Sequence, residues 1–368
     1  AALPLHYFAP FRWKKPLFLM LSVVGMASVF GLATSCAVVV LGALLLGITA
    51  LPISWTKRVG VLAATTLVLA AGRADGIPLL SSVVPPTAWP LLGSIFMFRL
   101  MIYMYELKHA KKPESLVDTV GYFCMLPNFC FLLFPVIDYR AYQRGYFATN
   151  IHDIQRRGLR MIFRGIVHLL LYRMIYHEVL ITPEDVQGPA TLASFLVFNY
   201  LLYLRVSGQF HIACGLLHLY GFQLPDTHHH YLLATSFTDY WRRINIYWKD
   251  FMVRMVFNPV VFRMKKWTQP AALAAATTLV FLITWVLHAY QTFWLKGRWG
   301  FTAPDALFWG ILGALVLVNV QLDARSQRRK SARAQSTHWP RWSELAMRAL
   351  KITATFGTIA LLWSLWSS

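Results

Sequence analysis

Charge is scarce in this chain. Of its 368 residues only 14% are Asp, Glu, Lys or Arg, whereas 57% are hydrophobic. A soluble domain of ordinary composition carries about a quarter charged residues. Several apolar runs reach the roughly 20 residues that a helix needs to cross a bilayer. The runs are continuous rather than alternating, which argues against transmembrane strands. We therefore predict an all-α, polytopic integral membrane protein.

Cysteine is also scarce. The four cysteines, Cys36, Cys124, Cys130 and Cys214, lie in apolar segments, and no two of them form a CxxC pair. We therefore expect neither a disulfide framework nor a zinc site, and we predict no metal and no bound cofactor. The consecutive histidines 228–230 cannot all face one metal ion from a helix, so we interpret them as a loop at the membrane edge.

A cleavable signal peptide is a further feature that we do not expect, because the first apolar run is too long for one and leads into more membrane segments.

Nucleic-acid binding is not expected either. The net charge is +20, but no basic soluble module interleaved with aromatics is present. The basic residues instead flank apolar segments, as in cytoplasmic loops that face anionic lipid. They cluster at Arg12 to Lys15, Lys57 and Arg58, Lys108 to Lys112, Lys265 and Lys266, and Arg325 to Arg348.

The apolar runs predict nine to eleven spans in one membrane domain, residues 1–368. Within it we distinguish N-terminal helices (16–113), a core (114–322), and a basic cytoplasmic loop with the last span (323–368). Half-helices are expected between 223 and 266. The predicted spans are two helices in 16–53 with a break near Ser35 and Cys36, then 59–71, Ala88–Leu107, Gly121–Ile137, Leu159–Ile181, two short spans in 189–222 around Arg205, Ser207 and Gly208, Ala271–Leu295, Ala303–Leu322 and Leu345–Trp366.

The loop 323–343 is strongly basic, so we predict that it is cytoplasmic. On that basis 271–295 runs from inside to outside, 296–302 faces the other side, and the chain ends outside.

A polar stripe crosses the span 271–295. Thr277, Thr284, His288 and either Gln291 or Thr292 share one face at helical spacing. His288 lies about 25 Å along the helix from Ala271, and an ionisable group at this depth is expected to face protein or water. Its imidazole could remove a proton from an alcohol or could simply be hydrogen-bonded between helices.

The segment FTDYWRRINIYWKDF (237–251) is unusually polar for this chain. Its spacing predicts an amphipathic helix with an apolar stripe through Trp241, Ile244, Trp248, Phe251 and Met255. Arg242, Asn245 and Lys249 would share a different face, and Asp239 could pair with Arg243 four residues later. Spacing alone favours an interfacial anchor helix.

The remaining polar residues have structural interpretations. His211 and His218 are seven residues apart on an apolar segment and are interpreted as buried and hydrogen-bonded. Arg164, Arg173 and Arg205 are interpreted as membrane-facing residues that snorkel, or as partners between helices. Ser207 and Gly208 would permit close packing or a helix break.

Several spaced motifs occur in a fixed order between residues 200 and 315. They are Ser207–Gly208, Gly215–Leu216, Gly221–Phe222 with Leu224–Pro225, Tyr240–Trp241–Arg242–Arg243, Leu287–His288 and LFWGIL (307–312). In this order they resemble the signature of membrane-bound O-acyltransferases. The resemblance is closest to the bacterial branch that acetylates alginate and other exopolysaccharides and D-alanylates teichoic acid. The segment YFCMLPNFCFLLFPVIDY (122–139) is similar less specifically.

Two residues depart from the bacterial pattern. Asn245 stands where that branch has His, although an Asn occupies the equivalent place in sterol and diacylglycerol acyltransferases of the same superfamily. His211 stands where the branch usually has Asp. The Asn cannot itself accept a proton, so the resemblance leaves His288 as the only catalytic base.

The resemblance implies transfer of an acyl group from a cytoplasmic acyl-CoA, most simply acetyl-CoA, to a hydroxyl group across a bacterial cytoplasmic membrane. The acceptor would be a polysaccharide, a lipid or another cell-envelope molecule, and an extracytoplasmic acyl-accepting protein could take part. His288 would be the general base, and Asn245 would orient the acyl carbonyl or the acceptor. The implied substrate-binding and CoA-binding residues are Arg242, Arg243, Lys249, Asp239, Trp241, Ser207, Gln291 and Thr284.

Two alternatives stay open. The chain could be a catalytically inactive structural subunit of a larger membrane complex, or a lipid acyltransferase that uses long-chain acyl-CoA. Composition alone would also allow a transporter, but the ordered motifs argue against one.

Overall fold

The computed structural model describes residues 2–109, 115–125, 137–330 and 342–367. Throughout these ranges the regular elements are helices, and the only β pairing is an isolated bridge between Tyr146 and Phe222. The all-α prediction is therefore confirmed. Of the predicted features, Cys130, Lys111, Lys112, most of the span Gly121–Ile137 and residues 331–341 of the basic loop lie outside the described residues.

We number the longer helices in chain order. They are α1 (Ala2–Phe8), α2 (Phe11–Ala50), α3 (Trp55–Arg73), α4 (Pro78–Val83), α5 (Ala88–His109), α6 (Leu116–Cys124), α7 (Tyr139–Gly145), α8 (Ile151–Met174), α9 (Pro189–Leu201), α10 (Leu204–Leu219), α11 (Phe237–Ile244), α12 (Ile246–Met252), α13 (Asn258–Arg263), α14 (Gln269–Lys296), α15 (Ala303–Lys330) and α16 (Trp342–Ser367). Single turns of 3₁₀-helix occur at Pro183–Asp185 and Tyr231–Leu233, and π-helical turns occur at Leu91–Phe96, Ile175–Val179 and Val253–Phe257.

Six helical segments among the described residues are long and apolar enough to cross a membrane. The chain is therefore an integral membrane protein. The expected nine to eleven spans are not reached by this measure, because several predicted spans are short helices or carry many charges. The six are Phe11–Ala50, Ala88–His109, Pro189–Leu219, Gln269–Lys296, Ala303–Arg325 and Trp342–Ser367.

Two predicted breaks lie at other residues. In α2 the non-helical residue is Gly31, with φ 79° and ψ 164°, and not Ser35 or Cys36. Glycine tolerates positive φ because it has no Cβ. Between α9 and α10 the chain turns at Leu202 and Tyr203, whereas Ser207 is buried inside α10, where its hydroxyl donates to the carbonyl of Leu204 at 3.3 Å.

The described residues form two compact units that interleave along the chain. Unit 1 comprises residues 1–166, 209–225 and 290–299, and unit 2 comprises 167–208, 226–289 and 300–368. Each unit is built from helices that are distant in sequence. The predicted division at 113 and 322 stays a prediction. The single membrane domain stays a prediction.

Unit 1 has close packing and buried charge. The ring of Trp294 lies against Gly93, where an added Cβ would come within 1.9 Å of the indole, so this contact requires glycine. Arg99 is 1% exposed and donates to the carbonyl oxygen of Tyr122. Arg140 forms an ion pair with the buried Glu106. A buried charge needs such partners to avoid a large desolvation cost.

Side-chain amides connect helices within unit 2. Asn199 on α9 donates to the hydroxyls of Ser364 and Ser367 on α16, at 3.0 and 2.9 Å. Asn319 on α15 accepts from the backbone N–H of Phe237 at 2.8 Å, at the first residue of α11. Within this unit, α11 is therefore anchored to α15 and α16 to α9.

Candidate functional site

His288 occupies an aromatic site within unit 2. Its Nδ1 lies 2.8 Å from the carbonyl oxygen of Thr284, one turn earlier in α14. Because a carbonyl oxygen can only accept, Nδ1 must be the donor, and a neutral imidazole then has its basic lone pair on Nε2. The ring lies edge-on to Trp248 with centroids 5.2 Å apart, and 4.6 Å from the ring of Trp309.

Trp248 and Thr284 complete the surroundings of the histidine. The indole N–H of Trp248 donates to the Thr284 hydroxyl at 3.4 Å, and Thr284 is fully buried. The predicted polar stripe thus joins α14 to α12 through residue 284. Thr277 is buried on the same helix, whereas Gln291 belongs to the part of α14 that clusters with unit 1.

Asn245 breaks the helix that we predicted through 237–251. Its φ of −138° and ψ of 85° are not helical, and the residue ends α11 and begins α12. Its side-chain oxygen accepts from the N–H of Trp248 at 3.2 Å, which is an N-cap. The predicted shared face of Arg242, Asn245 and Lys249 is therefore wrong, because a face requires one continuous helix.

The predicted pair of Asp239 and Arg243 is confirmed. Nε of Arg243 lies 2.6 Å from a carboxylate oxygen of Asp239, and both side chains are about one quarter exposed. Asp239 also accepts from the backbone N–H of Thr235 at 3.1 Å. The carboxylate therefore holds one edge of the guanidinium and fixes its orientation.

Arg243 lines a basic groove that sequence reasoning did not detect. The groove has a volume of about 520 Å³ and is lined also by Arg348, Lys351 and Glu344 of α16. These residues lie about a hundred positions after Arg243, so no local pattern could connect them. Three cations and one carboxylate make the groove a candidate site for an anion.

The other predicted binding residues lie in different surroundings. Arg242 is exposed, Lys249 pairs with the adjacent Asp250, and Trp241 packs on Phe281 at 4.7 Å between ring centroids. Ser207 is fully buried, 2.9 Å from Nδ1 of His168. Its surroundings are those of a packed core residue.

An apolar groove of about 370 Å³ lies between α14 and α15. Trp309 contributes both to this groove and to the contact with His288. Gly310 leaves it open, since an added Cβ there would meet nothing within 4 Å. Sequence reasoning assigned no role to this groove, although Trp309 lies within the LFWGIL motif. Its lining residues are Thr278, Phe281, Leu282, Trp285, Ala306, Trp309, Gly310, Gly313, Ala314 and Leu317.

The histidines away from the site differ in how deeply they are buried. His228 is 4% exposed, and its two ring nitrogens lie 3.0 Å from the hydroxyls of Tyr203 and Thr227. Residues 228–230 form a loop, as predicted, but this network buries His228, whereas His229 and His230 are exposed. Their position at the membrane edge stays a prediction. His218 is buried and hydrogen-bonded to the Cys214 carbonyl at 2.8 Å, as predicted.

Metal ligation finds no support in these positions: in the part of the chain that the structure describes, no three His, Cys, Asp or Glu side chains are grouped to hold an ion.

Two buried tyrosines near α11 stay neutral. Burial raises the pKa of Tyr231 to about 12, against a hydrogen bond with Ser207 that lowers it. Burial likewise raises the pKa of Tyr240, which accepts a hydrogen bond from the hydroxyl of Tyr200 at 3.1 Å.

Comparison with known proteins adds no identification. No protein-family model matches the chain, and no curated protein matches it.

Proposed function

We propose that the protein is a membrane-bound O-acyltransferase. It would move an acyl group, most simply acetyl from acetyl-CoA, to a hydroxyl of a polysaccharide or another envelope acceptor across a bacterial cytoplasmic membrane. The observation that carries this proposal is the geometry of His288. Its Nδ1 donates to the Thr284 carbonyl, which leaves Nε2 as the basic nitrogen in an aromatic site.

The reaction needs one base. Nε2 of His288 accepts the proton of the acceptor hydroxyl while the hydroxyl oxygen attacks the thioester carbonyl. The new C–O bond forms as the C–S bond breaks, and the proton passes from the imidazolium to the departing thiolate. The hydrogen bond at Nδ1 fixes the tautomer of the neutral ring and keeps the ring oriented while Nε2 carries the proton, as a second group does for other catalytic histidines.

The basic groove supports a cytoplasmic acyl-CoA. Arg348 and Lys351 lie in the first three turns of α16, next to the predicted cytoplasmic loop, and Arg243 of α11 lines the same groove. Guanidinium groups bind phosphate oxygens bidentately, and CoA carries several phosphates. Asp239 already holds Nε of Arg243, so the terminal nitrogens are the ones available for phosphate. Of the residues first assigned to CoA, Arg243 is therefore the best supported.

Replacement of His288 tests the proposal. His288→Ala and His288→Gln remove the base, and both should abolish release of free CoA thiol from acetyl-CoA by the purified protein with envelope extract as acceptor. The matched control is His229→Ala, which removes an exposed histidine in a loop. Size-exclusion profiles establish that each variant is folded. Full thiol release by folded His288→Ala would refute the assignment.

The capping role of Asn245 favours a second candidate, a structural subunit without activity. An N-cap explains this asparagine without any contact to substrate. Binding of labelled acetyl-CoA to the purified protein separates the two functions: neither binding nor thioester hydrolysis is expected of a structural subunit, and either would exclude it.

The apolar groove favours a third candidate, a lipid acyltransferase. Its volume of about 370 Å³ is within the range of small-molecule sites and exceeds what an acetyl group fills. Rates of thiol release across a series from acetyl-CoA to palmitoyl-CoA decide between the first and third candidates. A rate that rises with chain length supports the lipid acyltransferase, and a maximum at acetyl-CoA supports the first proposal.

A further inference from the structure

The outer face of α8 combines exposed apolar side chains with exposed arginines. Leu159, Phe163 and Ile166 are 59%, 70% and 45% exposed. The neighbouring stripe is basic, with the residues spaced four apart so that they follow one side of the helix. It consists of Arg156, Arg160 and Arg164, all exposed.

The inner face of α8 is fixed, so these side chains cannot turn inward. Gly158 and Gly215 of α10 meet closely, and a Cβ added to either would come within 2.8 Å of the other residue's carbonyl oxygen. Ile154 and Met161 are buried on the same face. Within the described part of the chain the outer face is therefore exposed to the surroundings of the protein.

The start of α8 lies level with the end of a candidate span. Gln155 donates to the carbonyl of Leu219 at 3.3 Å, and Leu219 is the last residue of the span Pro189–Leu219. The end of a span marks the boundary between hydrocarbon and headgroups. If Leu219 lies at that boundary, Arg156 is at headgroup level, and Arg160 lies one turn, about 6 Å, farther along, within reach of that level by snorkelling.

Neither water nor the hydrocarbon core suits this face. In water, Leu159 and Phe163 would form an exposed apolar patch beside Ile166. At the bilayer centre, a charged arginine is costly to bury. An apolar stripe beside a cationic one is the pattern of a helix at the interface, with its cations among the phosphates.

We propose that the outer face of α8 binds the headgroups of anionic phospholipids. Arg160 and Arg164 bind the lipid phosphates, while Leu159 and Phe163 contact the first methylenes of the acyl chains. Arg156 contributes less, because it pairs with Asp153 at 2.8 Å. This inference does not depend on the acyltransferase proposal, since no step of the reaction involves α8.

The experiment measures lipid binding by the full chain. The purified protein is delipidated in a neutral detergent and titrated with phosphatidylglycerol or phosphatidylcholine, and bound lipid is counted by native mass spectrometry. Arg160→Gln with Arg164→Gln should weaken phosphatidylglycerol binding about thirtyfold, since each basic residue at an anionic surface contributes about 1 kcal/mol. Phosphatidylcholine binding should change less than threefold.

The matched control also removes two exposed cations. The pair Lys296→Gln and Arg298→Gln lies at the C-terminal end of α14 and should leave phosphatidylglycerol binding within twofold. An equal loss in the control pair would overturn the proposal in favour of a general effect of net charge. Unchanged binding in the α8 pair would overturn it too. Capture of an acidic protein by α8, without preference between the two lipids, would show that the face binds protein instead.

Discussion

Asn245 permits a sharp test, because its capping role and its proposed role toward substrate need different atoms. The cap uses the side-chain oxygen, which accepts from the N–H of Trp248. An amide that orients a substrate carbonyl would instead use its NH₂ group, the only donor on the side chain. Asn245→Asp and Asn245→Ser keep an oxygen acceptor and remove the NH₂ group. Asn245→Ala removes both.

The size of the capping effect follows from the structure. Loss of an N-cap costs about 1 kcal/mol, and α12 has only seven residues, so most of this cost falls on its first turn. One kcal/mol corresponds to about a fivefold change in an opening equilibrium. We therefore expect the Trp248 amide to exchange hydrogen about five times faster in Asn245→Ala, and within twofold of wild type in Asn245→Asp and Asn245→Ser.

Thiol release from acetyl-CoA is the second measurement on the Asn245 variants. The first turn of α12 places the Trp248 indole against His288, so fraying in Asn245→Ala should lower acetyl-CoA thiol release. Under the capping role, Asn245→Asp and Asn245→Ser retain most of the wild-type rate. The serine variant guards against an effect of the new negative charge. If both variants lose activity as completely as Asn245→Ala while their Trp248 amides stay protected, the capping explanation is refuted and the amide acts on substrate.

Two further predictions concern other parts of the molecule. Gly310→Leu should fill the apolar groove and slow thiol release from long-chain acyl-CoA. The control Gly357→Leu should not slow it, because Gly357 lies on α16 outside the groove and has equally open surroundings. Equal slowing in both variants would contradict a role for the groove. In α1, burial and then the charge of Lys14 lower the pKa of His6 to about 4. Burial of the neutral His6 ring therefore stabilises the packing of α1 fully at pH values above the free imidazole pKa of about 6.5. This stabilisation is lost as the pH falls from about 6.5 toward 4. After correction for intrinsic rates, exchange in 2–8 should be faster at pH 4.5 than at pH 7.5, and His6→Phe should abolish the difference.

Local patterns anticipated much of the helical structure. The continuous apolar runs predicted α14 and α16 to within three residues and the start of α15, which continues beyond the predicted Leu322 to Lys330. The spacing of four predicted the pair of Asp239 and Arg243, because i and i+4 are neighbours on any helix. The same reasoning failed at Asn245, since the periodicity of the aromatics continues across the break and conceals the cap. Spacing cannot distinguish a residue that continues a helix from one that ends one helix and begins the next.

Only part of the candidate site could be predicted from the sequence. Periodicity placed Thr284 and His288 on one face of α14, but it could not identify Trp309 as the neighbour of the imidazole or Arg348 as a partner of Arg243 in the groove. These residues come from helices distant in sequence, and their meeting depends on which faces pack together. Gly310 leaves that space open, whereas Gly313 lets Phe281 of α14 come close to α15.

By itself, the sequence determined that this is an all-helical membrane protein and which residue types each helix carries, because hydrophobicity and helical period act over a few turns of one segment. Only the tertiary structure decided that Asn245 caps a helix, that His288 lies beside two tryptophans, and that the outer face of α8 is exposed among the described residues. Those outcomes depend on side-chain packing between segments far apart in the chain, which no local pattern specifies.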